Sequence, residues 1–220
     1  MIKPLKISDR SFIDMKKITA ITPQVKDKKR VNIFLDGEFY CGLQKITQMT
    51  NNLRVGDMVS EKRLSELVFE SEYTACVDLA YKYLGRKNHT KMQVIIYLKG
   101  KNFDNKVIAK VIDKLEEYGY LDDMQYAKTY IEFKKSSKGR RLLSAELSSK
   151  GVDSKTIEKA LDTLTDEDQS AYNTAKKYIK NKPFDFELKA KAFRYLISKG
   201  FSYDNATSAL DKISAELKQD

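Results

Sequence analysis

Leu98-Lys99-Gly100-Lys101-Asn102-Phe103-Asp104, Leu147-Ser148-Ser149-Lys150-Gly151-Val152-Asp153 and Leu196-Ile197-Ser198-Lys199-Gly200-Phe201-Ser202 are three versions of one stretch, and they decide the fold. Their leucines are evenly spaced: 147 − 98 = 49 and 196 − 147 = 49. The downstream residues keep the register. Ile108, Val111, Ile112, Asp113 and Leu115 follow the first; Ile157, Ala160, Leu161, Asp162 and Leu164 the second; Ala206, Ala209, Leu210, Asp211 and Ile213 the third. A gap-free period of this length means one supersecondary unit per copy, each stacked on its neighbours.

Helix punctuation divides each copy into three helices. Thr90 followed by Gln93 is a capping-box signature that opens a short helix through Leu98. Asp104 caps the next, which runs to a stop at Gly119. In the second copy Asp122 followed by Gln125 opens a helix, Ser137 is placed to cap the next, and Gly151 supplies the left-handed residue that ends it. Asp153 caps the third helix of that copy. In the last copy Thr165 followed by Asp168 opens, Asp185 caps the middle helix and Gly200 closes it.

The chain ahead of the repeats reads differently. Residues 17–22 and 30–35 alternate with a β-branched bias, and Asp36-Gly37 precedes Glu38-Phe39-Tyr40-Cys41. Asp-Gly between alternating runs predicts a type I′ hairpin of 30–35 with 38–43, because that turn needs φ > 0 at both central positions. The strand near 17–22 is expected beside it. The stretch 53–59 reads as a turn or short strand closing this domain. From about residue 64 the period becomes helical, with Phe69, Tyr73, Cys76, Ala80 and Leu84 on one expected buried face. The expected class is mainly α: tandem three-helix repeats in an extended curved array, preceded by a small β-rich N-terminal domain. The expected boundaries are 1–63, 64–120, 121–164 and 165–220.

Composition limits function. The 220 residues include 41 Lys and Arg against 31 Asp and Glu, a formal charge of +10 that favours an anionic partner, nucleic acid first. Two cysteines, Cys41 and Cys76, exclude a disulfide scaffold and suggest a reducing compartment; both read as small buried hydrophobes. The single His89 argues against a two-histidine zinc site and a Ser–His–Asp triad, and reads as a solvated loop residue. Residues 1–8 carry no apolar leader segment and no run reaches membrane-spanning length, so a cytoplasmic, soluble protein is expected. No glycine-rich phosphate loop and no Gly-x-Ser-x-Gly elbow occur. Asp122 and Asp123 are adjacent and do not share a helix face, so Asp122 reads as a cap. No catalytic residue, metal site or cofactor is expected.

The basic clusters carry the functional signal. Lys134-Lys135-Ser136-Ser137-Lys138-Gly139-Arg140-Arg141 holds five cations and no acid across a predicted helix–helix junction. A helix N-terminus is an anion site, and Ser137, Gly139 and Arg140 suit a phosphate there. Arg86-Lys87 lies at the equivalent junction of the first copy, and Lys180-Asn181-Lys182 echoes it in the third. Stacking would align these junctions into a backbone-binding stripe. Lys26-Asp27-Lys28-Lys29-Arg30 reads as a solvated loop. Arg86, Lys87, Lys134, Lys135, Lys138, Arg140, Arg141 and Lys150 are the expected DNA- or filament-contacting residues. Tyr73, Tyr126, Tyr130, Phe133 and Tyr172 fall at core spacing, so packing is preferred over base stacking.

Gly119-Tyr120-Leu121-Asp122-Asp123 followed by Tyr126-Ala127 resembles a signature of the RecX family of bacterial recombination regulators. Lys138-Gly139, Leu143 (or Leu142), Glu146-Leu147 and Lys150-Gly151-Val152 are similar to its second-repeat pattern. The N-terminal hairpin resembles the extension of Firmicute-type members. Gln93 and Asn102 depart from the usual Glu and Gly, although Asn tolerates a left-handed cap. The resemblance implies a non-enzymatic protein of tandem three-helix repeats that binds the RecA filament, blocks ATP hydrolysis and strand exchange, and limits filament growth. It implies RecA as a partner, while the basic junctions point to single- or double-stranded DNA backbone bound without sequence specificity; no membrane partner is expected, and the expected state is a monomer. Gly119, Tyr120, Leu121, Asp122, Asp123, Glu146, Leu147 and Gly151 are the motif residues expected to be structural. The acidic stretch 153–168 is a candidate RecA contact. A general nucleic-acid-binding scaffold that does not target RecA is the alternative.

Overall fold

The computed structural model describes residues 15–25, 27–180 and 182–217. The 1–8 stretch, Lys26 and Asn181 lie outside the described residues.

Asp36 and Gly37 both take positive φ, 48° and 92°, as the type I′ turn demands. They join β2 (Arg30–Leu35) to β3 (Glu38–Gln44). β1 (Met15–Pro23) pairs with β2, and β4 (Met58–Ser60) pairs with β1, giving an antiparallel sheet of order β3-β2-β1-β4. Irregularities at Ile18/Ala20 and Ile33/Phe34 shift the register, and such bulges increase local twist. The alternation buries Val31, Ile33 and Leu35 on one face, against Ile18, Leu43, Leu53, Val59, Leu64 and Leu67. A short helix, α1 (Lys45–Thr50), leaves the sheet before β4.

The helices that follow are α2 (Glu61–Leu84), α3 (Lys91–Lys99), α4 (Asn105–Glu117), α5 (Asp123–Lys134), α6 (Arg140–Ser149), α7 (Ser154–Leu161), α8 (Glu167–Ile179), α9 (Phe186–Ser198) and α10 (Tyr203–Glu216). The protein is thus mainly helical, with tandem three-helix domains behind a four-stranded sheet. The buried face of α2 is Leu64, Leu67, Ser71, Cys76 and Ala80. Phe69 and Tyr73, expected on that face, are half-buried and share the Lys110 ammonium at 5.3 and 5.1 Å from their ring centres. The expected Cβ-bearing left-handed cap is present at Asn102, with φ 63°, where the later copies use Gly151 and Gly200 at 84° and 86°.

Two compact units emerge. One holds the described residues up to Tyr83 with Leu98–Asp113; the other holds Leu84–Tyr97 with the described residues from Lys114 onward. Within the second unit, Ala127, Ile131, Leu143, Leu147, Val152, Ile157, Ala160 and Leu161 form one core. Ala171, Ala175, Ala192, Leu196, Phe201, Ala206, Leu210 and their neighbours form another. Both draw on the residues that recur at the 49-residue period, so the repeat in sequence is a repeat of cores. No helix among the described residues is long and apolar enough to cross a membrane.

Candidate nucleic-acid interface

The site must be built from the first turn of α6, because five expected cations surround it. Ser137 does not cap this helix. Gly139 does, at φ −84° and ψ 170°, with no side-chain hydrogen bond, and Ser137 Oγ donates instead to the Lys134 carbonyl at 3.4 Å. The amides there are not available to a phosphate. Gly139 N–H donates to the Lys199 carbonyl at 2.9 Å and Arg141 N–H to the Gly200 carbonyl at 3.2 Å. Arg140 N–H donates to Glu167 Oε1 at 2.8 Å. The positive end of the helix therefore already holds a carboxylate. Glycine at 139 is a steric requirement: a Cβ would lie 2.4 Å from the Gly200 carbonyl oxygen. Glu167 is the first residue of α8, which opens after a left-handed Asp166 (φ 59°) rather than through the expected Thr165–Asp168 pair.

The first turn of α3 repeats this arrangement one period earlier. Thr90 and Gln93 close the expected capping box, with reciprocal hydrogen bonds of 3.2 Å. Thr90 Oγ1 also donates to the Lys150 carbonyl at 2.6 Å, and Lys91 N–H donates to Asp123 Oδ1 at 2.8 Å. Gly139 and Thr90 are 139 − 90 = 49 apart, and Lys199 and Lys150 are 199 − 150 = 49 apart. The adjacent aspartates thus divide their work. Asp122 accepts from Gln125 N–H at 2.8 Å and caps its own helix; Asp123 caps the helix of the preceding copy. Burial raises the Asp123 pKa above its ordinary value, partly opposed by the Lys91 amide.

The Lys-Gly and Glu-Leu motif is a packing network. Glu146 pairs with Lys138 Nζ and accepts from Tyr130 Oη at 2.8 Å. Burial disfavours its charge, but hydrogen bonds from Lys138 and Tyr130 and the fields of Lys138 and Lys134 outweigh this, holding its pKa below the ordinary value. Burial and the Glu146 hydrogen bond push the Tyr130 phenol up to about 12. Lys150 Nζ sits over the Tyr130 ring, 5.3 Å from its centre.

The expected cations therefore separate into two groups. Lys135 pairs with Glu132 at 2.8 Å, Lys138 with Glu146, and Arg140 Nη2 donates to the Leu161 carbonyl at 2.8 Å. With Lys150, these serve the fold. Arg86, Lys87 and Arg141 are exposed and Lys134 half-exposed, and none forms an ion pair among the described residues. In the third copy Lys180 is exposed, while Lys182 Nζ donates to the Tyr178 carbonyl at 3.0 Å.

Two concave surfaces adjoin the free cations. A groove of about 510 Å³ is lined by Arg140, Arg141, Ser144, Ser148 and Ser154, with Glu158 also at its edge. A smaller notch of about 210 Å³ is lined by Asn88, Tyr126, Thr129, Tyr130, Phe133 and Lys134. Phe133 is 82% exposed, which overturns its expected core role. Its neighbours in sequence, Glu132 and Lys134, gave the only hint. His89 is also reversed: it is 6% exposed, with Nδ1 3.4 Å from Gln93 Oε1. Burial lowers its pKa, against the hydrogen bond to Gln93. Cys76 is buried on its helix as expected, whereas Cys41 on its strand is only half-buried; burial raises the Cys41 and Cys76 thiols to about 11 and about 12.

Models of the RecX N-terminal domain and of its first, second and third three-helix domains match residues 16–60, 76–115, 122–161 and 166–210. The chain is 32% identical to the regulatory protein RecX of Clostridium tetani, over 90% of this chain and 94% of that one. The chain belongs to the RecX family. It is also 32% identical to the regulatory protein RecX of Bacillus subtilis, over 92% of this chain and 79% of that protein. The fold agrees with two RecX crystal structures, each 24% identical. One gives a TM-score of 0.64 and covers 89% of this chain; the other, from Lactobacillus salivarius, gives 0.61 and covers 66%. RecX membership makes the chain a regulatory protein by family.

Proposed function

We propose that this chain is a non-catalytic regulator of the RecA recombinase. It binds the RecA–DNA filament, restrains ATP hydrolysis and strand exchange, and limits filament growth. RecX membership supports the regulatory role, and the resemblance of motifs supplies RecA as the partner. The observation that carries the DNA component is the set Arg86, Lys87, Lys134 and Arg141, cations that form no ion pair among the described residues. Such groups are available to phosphate oxygens, and each contact releases condensed counterions. Arg141 stands in the serine-lined groove and Lys134 at the aromatic notch, so both concave surfaces have a cation at their edge.

Glu167 takes the place at α6 first assigned to a phosphate, so the backbone contact is made by side chains and not by helix amides. The deciding experiment is ATP hydrolysis by the cognate RecA on single-stranded DNA, titrated with this protein. Inhibition at amounts well below one per RecA protomer is the expected result. Unchanged hydrolysis at equimolar protein, beside DNA binding that weakens steeply with salt, would replace this reading with a nucleic-acid-binding scaffold that does not target RecA.

A further inference from the structure

Apart from Lys134, the aromatic notch on α5 is used by neither the inter-copy contacts nor the salt-sensitive backbone contact. Its floor is aromatic, with Tyr126 and Tyr130 stacked at 6.3 Å between ring centres and 11° between planes. Phe133, one helical turn on, is 82% exposed. No fold-level account explains a phenylalanine held in solvent beside two tyrosines. The rim is polar and cationic: Asn88, Thr129 and Lys134 line it, and Arg86 and Lys87 immediately precede Asn88. The adjacent carboxylate, Glu132, is neutralised by Lys135 at 2.8 Å.

We propose that this notch receives one unstacked base of a single-stranded nucleic acid, with Phe133 as the stacking surface and Lys134 on the adjoining phosphate. The inference deepens, and rests on, the DNA-binding reading above. The cationic rim suits a polyanion and disfavours an apolar segment of a protein partner. Bases in a duplex hide their faces from such a ring, so the notch selects single strands.

The chain contains no tryptophan, which makes Phe133→Trp a sole reporter at the proposed contact. Emission should be quenched, to saturation, by an oligothymidylate and not by a duplex of equal length. Phe133→Ala should weaken oligothymidylate binding roughly 10-fold at an unchanged salt slope and an unchanged Tm, since the ring is exposed. Binding of the oligonucleotide without any quenching, and with Phe133→Ala equal to wild type, overturns the notch and leaves the cation contact standing. Absence of oligothymidylate binding by wild type overturns it too, and ATPase inhibition then reports separately on the RecA reading. If Phe133→Ala weakens RecA inhibition alone, the notch seats a protein side chain and the inference is wrong.

Discussion

The two inter-copy junctions of the repeat region solve one problem with different chemistry. At the first, a side chain bridges: Thr90 Oγ1 reaches the Lys150 carbonyl at 2.6 Å. At the second, backbone meets backbone: Gly139 N–H reaches the Lys199 carbonyl at 2.9 Å. A carboxylate from the next copy completes each, Asp123 on Lys91 N–H and Glu167 on Arg140 N–H, both at 2.8 Å. The difference lies in what fills the space. At the hydroxyl-bridged junction the neighbour of Gly151 is the root of the Met92 side chain, whose Cβ would lie 2.3 Å from an added methyl group. Direct contact leaves only backbone around Gly139, and backbone does not move aside. Repeats with one plan therefore close their junctions with different atoms, a side-chain root at one and backbone at the other.

Glycine replacements test that difference most severely. Gly200→Ala sets a Cβ 2.3 Å from the Leu142 amide nitrogen at a φ of 86°, so it combines a clash with left-handed strain. A loss of about 3 kcal/mol or more is expected from overpacking and strain together. Gly139→Ala clashes with the Gly200 carbonyl but has an ordinary φ, and should cost about 2–3 kcal/mol. Gly151→Ala sets a Cβ 2.3 Å from Met92 Cβ, an atom fixed to the α3 backbone, at a φ of 84°, so it too combines a clash with left-handed strain and should cost about 3 kcal/mol or more. Urea unfolding gives the order. A Gly151 variant more stable than the Gly139 variant would show that α3 shifts to make room and that the hydroxyl-bridged junction is the looser one.

Acid titration sharpens the comparison at the next level down. Asp123 has a folded-state pKa raised above its unfolded value, with burial the first cause. Its folded state binds the proton more readily, so stability falls as pH rises from the unfolded pKa through the folded one. Asp123→Asn keeps an acceptor for Lys91 N–H and removes the charge. Its Tm relative to wild type should be higher at neutral pH than in acid. Asp123→Ala also removes the charge, so its profile should run parallel to that of Asp123→Asn, displaced downward by about 1–2 kcal/mol for the lost acceptor. Glu146 has the opposite sign: its lowered pKa gives stability present above the unfolded pKa and lost as pH falls through the folded one. Glu146→Gln should therefore destabilise at neutral pH and progressively less in acid. Parallel pH profiles for Asp123→Asn and Glu146→Gln would contradict the assigned roles.

Local signals were readable where the answer was local. Asp36-Gly37 needs only its own backbone to specify a hairpin, and Asp104, Asp122, Asp153 and Asp185 find their amide partners within three residues. The 49-residue register pointed to the recurring cores because matching residues fill matching places. Ser137 failed as a cap for the opposite reason: α6 is completed by the Lys199 and Gly200 carbonyls from another part of the chain, and no local pattern contains those partners. For α8 the opening lies one residue past Thr165, at the left-handed Asp166. The second aspartate of the motif was illegible in the same way as the start of α6, since its role is on the preceding copy. The cluster at 134–141 looked uniform because sequence does not show that Glu146, Glu132, Glu167 and the Leu161 carbonyl each engage one cation. Phe133 followed the core spacing of Tyr126 and Tyr130, yet its place one turn later leaves the ring beyond the neighbouring helices' reach.

The division of that cluster yields the prediction with the smallest effect on the fold and the clearest effect on binding. Lys138→Ala and Arg140→Ala should lower Tm, because each leaves a fold partner unmatched: Glu146 for one, the Leu161 carbonyl for the other. Neither should alter the salt dependence of DNA binding. Lys134→Ala combined with Arg141→Ala should leave Tm within a degree or so, since neither forms an ion pair among the described residues. The pair should instead flatten the slope of log K against log salt by about two, one phosphate contact for each lost charge. The double comparison is stricter than replacing all five cations at once. A wholesale change would weaken binding whether the charges touched DNA or only held the repeat in shape. Two pairs with opposite signatures separate those causes, and an equal salt slope in both would return the internally paired lysine and arginine to the interface.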